Sequence, residues 1–393
     1  MRSEFLPFAP PLIGDDEIDE VVRTLREGWI TTGRRAQQFE TDFGHFVGAP
    51  ASLAVNSATS AMHIALAALG IGEGDAVVST TMTFASSIHV IEHQHALPVL
   101  VDVQPDTLNI DPDLVEAAVR RTPGVKAILP VHLYGHPAEM DSIYDIARRY
   151  SLAVIEDAAH ALPSRYRGRM IGAPQPGFDL PNLVAFSFYA TKNLTTGEGG
   201  MLTGPLTVID DARMWSLHGM SRDAFKRYTS EGSWRYDVVL PGFKYNMPDI
   251  QAAIGLHQLK ALESMQRRRR AIVAQYDEAL SGMEELQTPI ERPEVESAWH
   301  IYVLRLHLDR LKIDRGQFIE EMRKRNVGAS VHFIPIHEHT FYRDKYKMTP
   351  QDFPVASREF ERMISLPLSP AHSDQDIADV IEAVTDIVKL NRA

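Results

Sequence analysis

Over the first two-thirds of the chain, short apolar runs alternate with longer stretches of helical periodicity, and this alternation narrows the fold more than any other feature. The runs at 76–79, 97–101, 127–131, 153–156 and 183–187 are rich in Val, Ile or Leu, as strands buried on both faces are. Helical stretches lie at 61–69, 112–121 and 140–150, the last with Ile143, Ile146 and Ala147 on one face. Strands that alternate with helices predict an α/β fold in which a mainly parallel sheet is covered by helices.

A long helical pattern follows from Pro248 to Gly282, with proline at its start and glycine at its end as helix termini favour. Its basic run, Arg267 to Arg270, reads as a solvated face. Beyond it, strand-like 299–306, a helix over 315–325, strand-like 328–333 and a helix over 374–390 predict a smaller C-terminal α+β domain. The expected division is a large domain over 1–265, opening with an arm at 1–14, and a small domain over 266–393. A chain of 393 residues is long enough for two cores.

With 40 basic and 52 acidic residues the net charge is −12, which argues against a general electrostatic grip on nucleic acid. The absence of cysteine excludes disulfides, Cys-ligated zinc and thiolate catalysis, and fits a reducing cytoplasm. Residues 1–14 carry Glu4 and three prolines and lack the basic flank and apolar core of a signal peptide. No run of eighteen apolar residues occurs, so no membrane span is expected.

Three groups of residues carry chemistry. The first is the small polar cluster Asn56 to Ser60, directly before an apolar helix. A helix amino terminus offers unpaired N–H groups and a positive dipole end, hence an anion site; the same cluster also reads as a plain Ser/Thr cap. The second is the apolar strand that ends in Glu156 and Asp157, with His160 three residues past Asp157. Ligands of open α/β sheets bind beyond the carboxyl ends of strands, although Asp157 could equally cap a turn. The third is Lys192, which follows the run ending at Ser187 and precedes a glycine-rich turn. Most lysines are surface groups, but a desolvated one has a lowered pKa and can attack a carbonyl.

Taken in order, these groups sit within longer segments: GWITTG at 28–33, SATSAMH at 57–63, Thr83 and Phe84, EDAAH at 156–160, SFYATKNLTTGEGG at 187–200, GFKYNMPD at 242–249, AWHIYVLRL at 298–306 and VHFIPIH at 331–337. The sequence resembles the DegT/DnrJ-type nucleotide-sugar aminotransferases, fold-type-I enzymes that use pyridoxal 5'-phosphate (PLP). The resemblance spans nearly the whole chain and looks closest to 4-keto-sugar enzymes such as those that make UDP-4-amino-4-deoxy-L-arabinose.

That resemblance implies that Lys192 binds PLP as a Schiff base and moves protons, that Asp157 holds the pyridine nitrogen, and that His160 lies beside the ring. Phe84 would stack on the cofactor. Ala58, Thr59 and Ser187 would hold its phosphate, with Asn246 reaching in from the partner subunit of a homodimer. Thr31, Thr32, His332 and His337, with the basic stretch Arg222, Lys226 and Arg227, match regions that line the sugar and diphosphate pocket. As bare residues, the two histidines are more often packed or surface groups than ligands. The implied reaction moves an amino group from L-glutamate to a nucleotide-linked keto sugar, at C4 of a UDP- or dTDP-4-keto sugar. No metal, membrane or nucleic-acid partner is implied. Sugar dehydratases that resemble this family replace the Schiff-base lysine with histidine, and Lys192 argues against that activity; a silent regulatory relative would be expected to lack Lys192 or Asp157.

Overall fold

The computed structural model describes residues 2–220 and 236–393. At its centre lies a seven-stranded sheet in the order Ala51–Val55, Gly200–Gly204, Asn182–Ser187, Ala153–Asp157, Val125–Leu129, Ala76–Thr80 and Leu97–Val101. The last five are mutually parallel, and these are the strands expected from the apolar runs, with ends that differ by at most two residues. The other two were not expected. Gly200–Gly204 runs antiparallel to both of its neighbours, and its flanking glycines had made it look like a turn.

Side chains alternate between the two faces of a strand, and the parity of each strand decides where the chemistry goes. Val78, Ile128, Val154, Val184 and Phe186 join one core, with Phe39 and Phe43. Their neighbours Val77, Leu129, Ile155, Leu183 and Ala185 join the other, with Ile64 and Leu66 of the helix Ala58–Ala68. Counting on by twos puts Glu156 on the first face, and Asp157 and Ser187 on the second. Asp157 and Ser187 therefore share a face with that helix.

The helix Asp249–Leu280 is 32 residues long, so it spans roughly 48 Å. Pro248 is its N-cap residue, and the helix ends at Leu280, before Gly282. Its far end supplies Ile272, Val273, Tyr276 and Leu280 to a third core shared with Tyr302, Leu304, Phe318, Ile364 and Val384. The arginine run is only partly a solvated face. Four consecutive residues make a full helical turn, so one of them must point inward, and Arg269 does: it is buried and its Nη1 donates to Leu368 O at 3.0 Å. Burial pushes its pKa down to about 9.

Two strand expectations in the C-terminal part change. The stretch 299–306 is strand only over Tyr302–Leu306, because Trp299 has a left-handed φ of 47°. The stretch 328–333 is not a strand: Ser330 makes one bridge to Ser365. The partner of Tyr302–Leu306 is instead Met363–Leu366. The helices Arg315–Lys324 and Asp374–Leu390 lie where expected. Among the described residues, no helix is long and apolar enough to cross a membrane.

Candidate active site

A pocket of about 470 Å3 opens beyond the carboxyl ends of the parallel strands. The helix Ala58–Ala68 presents its first turn there, with Ser57, Ala58 and Thr59 in the wall. Ser57 caps that helix by accepting the Ser60 N–H at 3.0 Å, which leaves the N–H groups of Ala58 and Thr59 facing outward as helix starts do. Gly200 makes the approach possible: a Cβ there would lie 2.5 Å from Ser57 C and 2.6 Å from Ala58 N. Ser187, at the end of its strand, lines the same wall.

Lys192 also lines the pocket. Desolvation pushes its pKa down to about 8 from an ordinary 10.5, against the opposing pull of the Asp157 charge. Asp157 is 4% exposed and held at both oxygens. Oδ2 accepts from Ser87 Oγ at 2.6 Å, and Oδ1 accepts from the Ala159 N–H at 3.0 Å. Glu156, one residue back, faces the other side of the sheet as strand parity requires. It accepts from Tyr144 Oη at 2.6 Å and Asn182 Nδ2 at 2.7 Å, and pairs with His132 Nε2 at 2.8 Å. Ala138 N–H occupies His132 Nδ1, so Nε2 carries the proton. Glu156 is thus a satisfied structural carboxylate.

His160 is buried beside Lys192, and burial first, then the lysine charge, hold its pKa well below the ordinary histidine value. Its Nδ1 accepts the Tyr134 N–H at 3.2 Å, so the neutral ring carries its proton on Nε2. His332 reaches the pocket with a pKa lowered to about 4 by burial and by Lys192; its Nδ1 lies 2.8 Å from Ser365 Oγ. Phe84, 60% exposed, and Phe333 complete an aromatic edge, their ring centroids 5.6 Å apart.

Not every expected site residue is brought here. Thr31, Thr32 and Asn246 do not line the pocket; they gather around one another instead. Asn246 Nδ2 donates to Thr32 Oγ1 at 2.6 Å, Thr32 Oγ1 donates to Met247 O at 2.7 Å, and Thr31 O accepts the Asp249 N–H. His337 is buried away from the pocket, its Nδ1 2.7 Å from Thr81 Oγ1 and its Nε2 2.9 Å from Ser357 Oγ. Both ring nitrogens are engaged within the protein. Arg222, Lys226 and Arg227 lie outside the described residues.

Other residues in the site escaped the sequence reading. Ser87 belongs to a run of hydroxyl residues after Phe84, and nothing in sequence singles it out. His300 falls inside AWHIYVLRL and lines the pocket. Asn193 Nδ2 donates to Ala298 O at 2.8 Å, which turns Asn193 Oδ1 toward His300 Nδ1 at 3.1 Å. His300 therefore donates from Nδ1 and keeps Nε2 as an acceptor.

These residues fit PLP. The cofactor requires an amine with a lowered pKa, a carboxylate for its ring nitrogen and a donor-rich anion site for its phosphate. Lys192, Asp157 and the start of the helix Ala58–Ala68 supply these within one pocket.

Comparison with known proteins agrees. Residues 11–385 match the DegT/DnrJ/EryC1/StrS aminotransferase family. The uncharacterized protein MJ1066 of Methanocaldococcus jannaschii is 49% identical over the whole of both chains. The spore coat polysaccharide biosynthesis protein SpsC of Bacillus subtilis is 48% identical, covering 99% of this chain and 98% of its own. Among solved structures, the putative sugar aminotransferase Spr1654 of Streptococcus pneumoniae in its PMP form superposes with a TM-score of 0.90 at 34% identity, covering 98% of this chain and 99% of its own. The chain belongs to the DegT/DnrJ/EryC1/StrS aminotransferase family, and it is a PLP-dependent aminotransferase of fold type I.

Proposed function

We propose that the enzyme moves an amino group from L-glutamate to C4 of a UDP- or dTDP-linked 4-keto sugar, in the cytoplasm, as a homodimer with shared active sites. The observation that carries amino transfer is the meeting of Lys192 and Asp157 in one pocket beside a helix amino terminus. A sugar acceptor is supported by the likeness to Spr1654, named a putative sugar aminotransferase, and a glycan precursor by the likeness to SpsC. His332, neutral and open to the pocket, is suited to a sugar hydroxyl.

PLP, when bound, supplies an aldehyde carbon that takes up the amino group and a ring that draws electrons from it. Lys192 Nζ would hold that carbon when no substrate is present and, as a free amine, would supply the base that moves a proton between carbons. The Asp157 carboxylate would accept a hydrogen bond from the protonated ring nitrogen. His160, its proton on Nε2, would lie beside the ring, Phe84 would cover a ring face, and Ser187 with the N–H groups of Ala58 and Thr59 would hold the phosphate.

A glutamate-dependent assay over UDP-, dTDP- and GDP-linked 3-keto and 4-keto sugars tests the substrate. Turnover of UDP- or dTDP-4-keto sugars, with the amine at C4 by NMR, is the expected result; turnover confined to 3-keto sugars contradicts it.

The lysine's surroundings set a pH dependence. Below about 8 the Lys192 amine is mostly protonated and cannot bond the aldehyde. The rate of PLP attachment to apoenzyme should therefore rise about tenfold per pH unit up to about 8 and level off above it. A midpoint near 10.5 would mean that the amine is not desolvated.

The homodimer reading rests on two features. Thr31, Thr32 and Asn246 sit together off their own chain's pocket, available to a second copy. The helix Asp15–Glu27 is also inverted: Glu17, Glu20 and Thr24 are buried while Ile18 and Leu25 are exposed, each by 53%, leaving an apolar face for a partner. Asn246→Ala is expected to raise the PLP dissociation constant about tenfold, the loss of one hydrogen bond to a phosphate. An active enzyme that sediments only as monomer would refute shared sites.

A further inference from the structure

We infer that Ser87, backed by Thr83, is a positioning residue that keeps the proton on the cofactor's ring nitrogen by acting through Asp157. This rests on the reading that Asp157 faces that nitrogen.

Ser87 lies in the first turn of the helix Ser86–His93 and is fully buried. Its single hydroxyl proton has three acceptors within reach, Asp157 Oδ2 at 2.6 Å, Thr83 Oγ1 at 2.8 Å and Phe84 O at 3.2 Å. The shortest contact, to a carboxylate, is the strongest, so the proton lies toward Asp157. Ser87 Oγ can then only accept from its other neighbour, Thr83 Oγ1, 2.8 Å away and itself 1% exposed. The hydroxyls thus form a directed chain in which Thr83 donates to Ser87 and Ser87 donates to Asp157.

That chain bears on where a proton rests. A proton shared between Asp157 and a ring nitrogen can sit on either partner, and the cofactor draws electrons well only when it sits on nitrogen. A proton on Asp157 would weaken Oδ2 as an acceptor for Ser87. No arginine or lysine side chain hydrogen-bonds Asp157 among the described residues, and its two hydrogen-bond donors are Ser87 Oγ and the Ala159 N–H. The amide donor is fixed by the backbone. The hydroxyl is the one that a side-chain change can remove.

The test is 15N NMR of the holoenzyme loaded with PLP labelled at the ring nitrogen, since protonated and bare pyridine nitrogens differ widely in shift. In the native enzyme the signal is expected in the protonated range. Ser87→Ala should move it toward the bare range and lower kcat about tenfold or more, the worth of a hydrogen bond to a charged group, with the glutamate KM little changed. Ser87→Thr, which restores a hydroxyl, should return both values toward native. Ser87→Cys, a near-isosteric weak donor, should fall between them and serves if the alanine variant does not fold. Asp157→Asn separates the two claims. If it moves the signal and neither Ser87→Ala nor Ser87→Cys does, the role of Ser87 is overturned while that of Asp157 stands. If Asp157→Asn leaves the signal unmoved, the reading of Asp157 fails, and the inference with it.

Discussion

Replacing Lys192 with alanine is expected to lower turnover by about three orders of magnitude or more while leaving the fold intact. One positioned acid–base group contributes roughly 10²- to 10⁴-fold, and in the proposed mechanism Lys192 both holds the cofactor and carries the proton between carbons. Its burial serves no structural pairing: among the described residues the strongest electrostatic partner of its ammonium is Asp157, and desolvation outweighs it. Removing the side chain therefore takes away chemistry without leaving an unpaired buried partner. Steady-state kinetics with a thermal melt checks this. A variant that keeps its melting temperature and more than a tenth of native turnover would remove Lys192 from the chemistry.

Asp157→Ala is the second large effect. Preorganised charge at the point where charge develops is worth on the order of 10²- to 10³-fold in kcat, and a loss of that size is expected. The variant should still take up PLP, because the anion site at the start of the helix Ala58–Ala68 is untouched. Some destabilisation is also expected, roughly 1–3 kcal/mol, because the Ala159 N–H loses its acceptor and Ser87 Oγ keeps only its longer contacts. Cofactor absorbance after gel filtration, alongside kcat, separates binding from turnover; near-native kcat would contradict the role given to Asp157.

Much of this architecture was legible in the sequence because it follows from burial. The five parallel strands read as apolar runs because helices cover both of their faces, and the parity of two of them, counted from Ile155 and Ala185, carries Asp157 and Ser187 to one side. The strand Gly200–Gly204 was illegible for a local reason: Gly200 serves the close approach to Ser57 and Ala58, and a glycine-rich segment reads as turn whatever it pairs with. The stretch 328–333 misled because Ala329, Val331 and Phe333 pack against the cores with only a single bridge to Ser365.

The site divided in a similar way. Asp157 stood out at the end of an apolar strand, where ligands of open sheets bind, whereas Lys192 gained meaning from the order of the three groups and His160 only from the family resemblance. Ser87 was not legible, since its role depends on a hydrogen bond to a residue 70 positions away. His337 shows the reverse. It resembled a ligand residue, yet Thr81 and Ser357 occupy both of its nitrogens, and only three-dimensional contacts reveal that. Asn246, which the family resemblance assigns to a partner's site, bonds Thr32 outside its own pocket, while Thr32 was expected in the sugar pocket.

Borohydride reduction of the purified holoenzyme, followed by peptide mapping, tests the account most directly. The prediction is loss of the long-wavelength cofactor absorbance and a single phosphopyridoxyl label, on Lys192. A label on any other lysine, or a reduced enzyme with none, would contradict it.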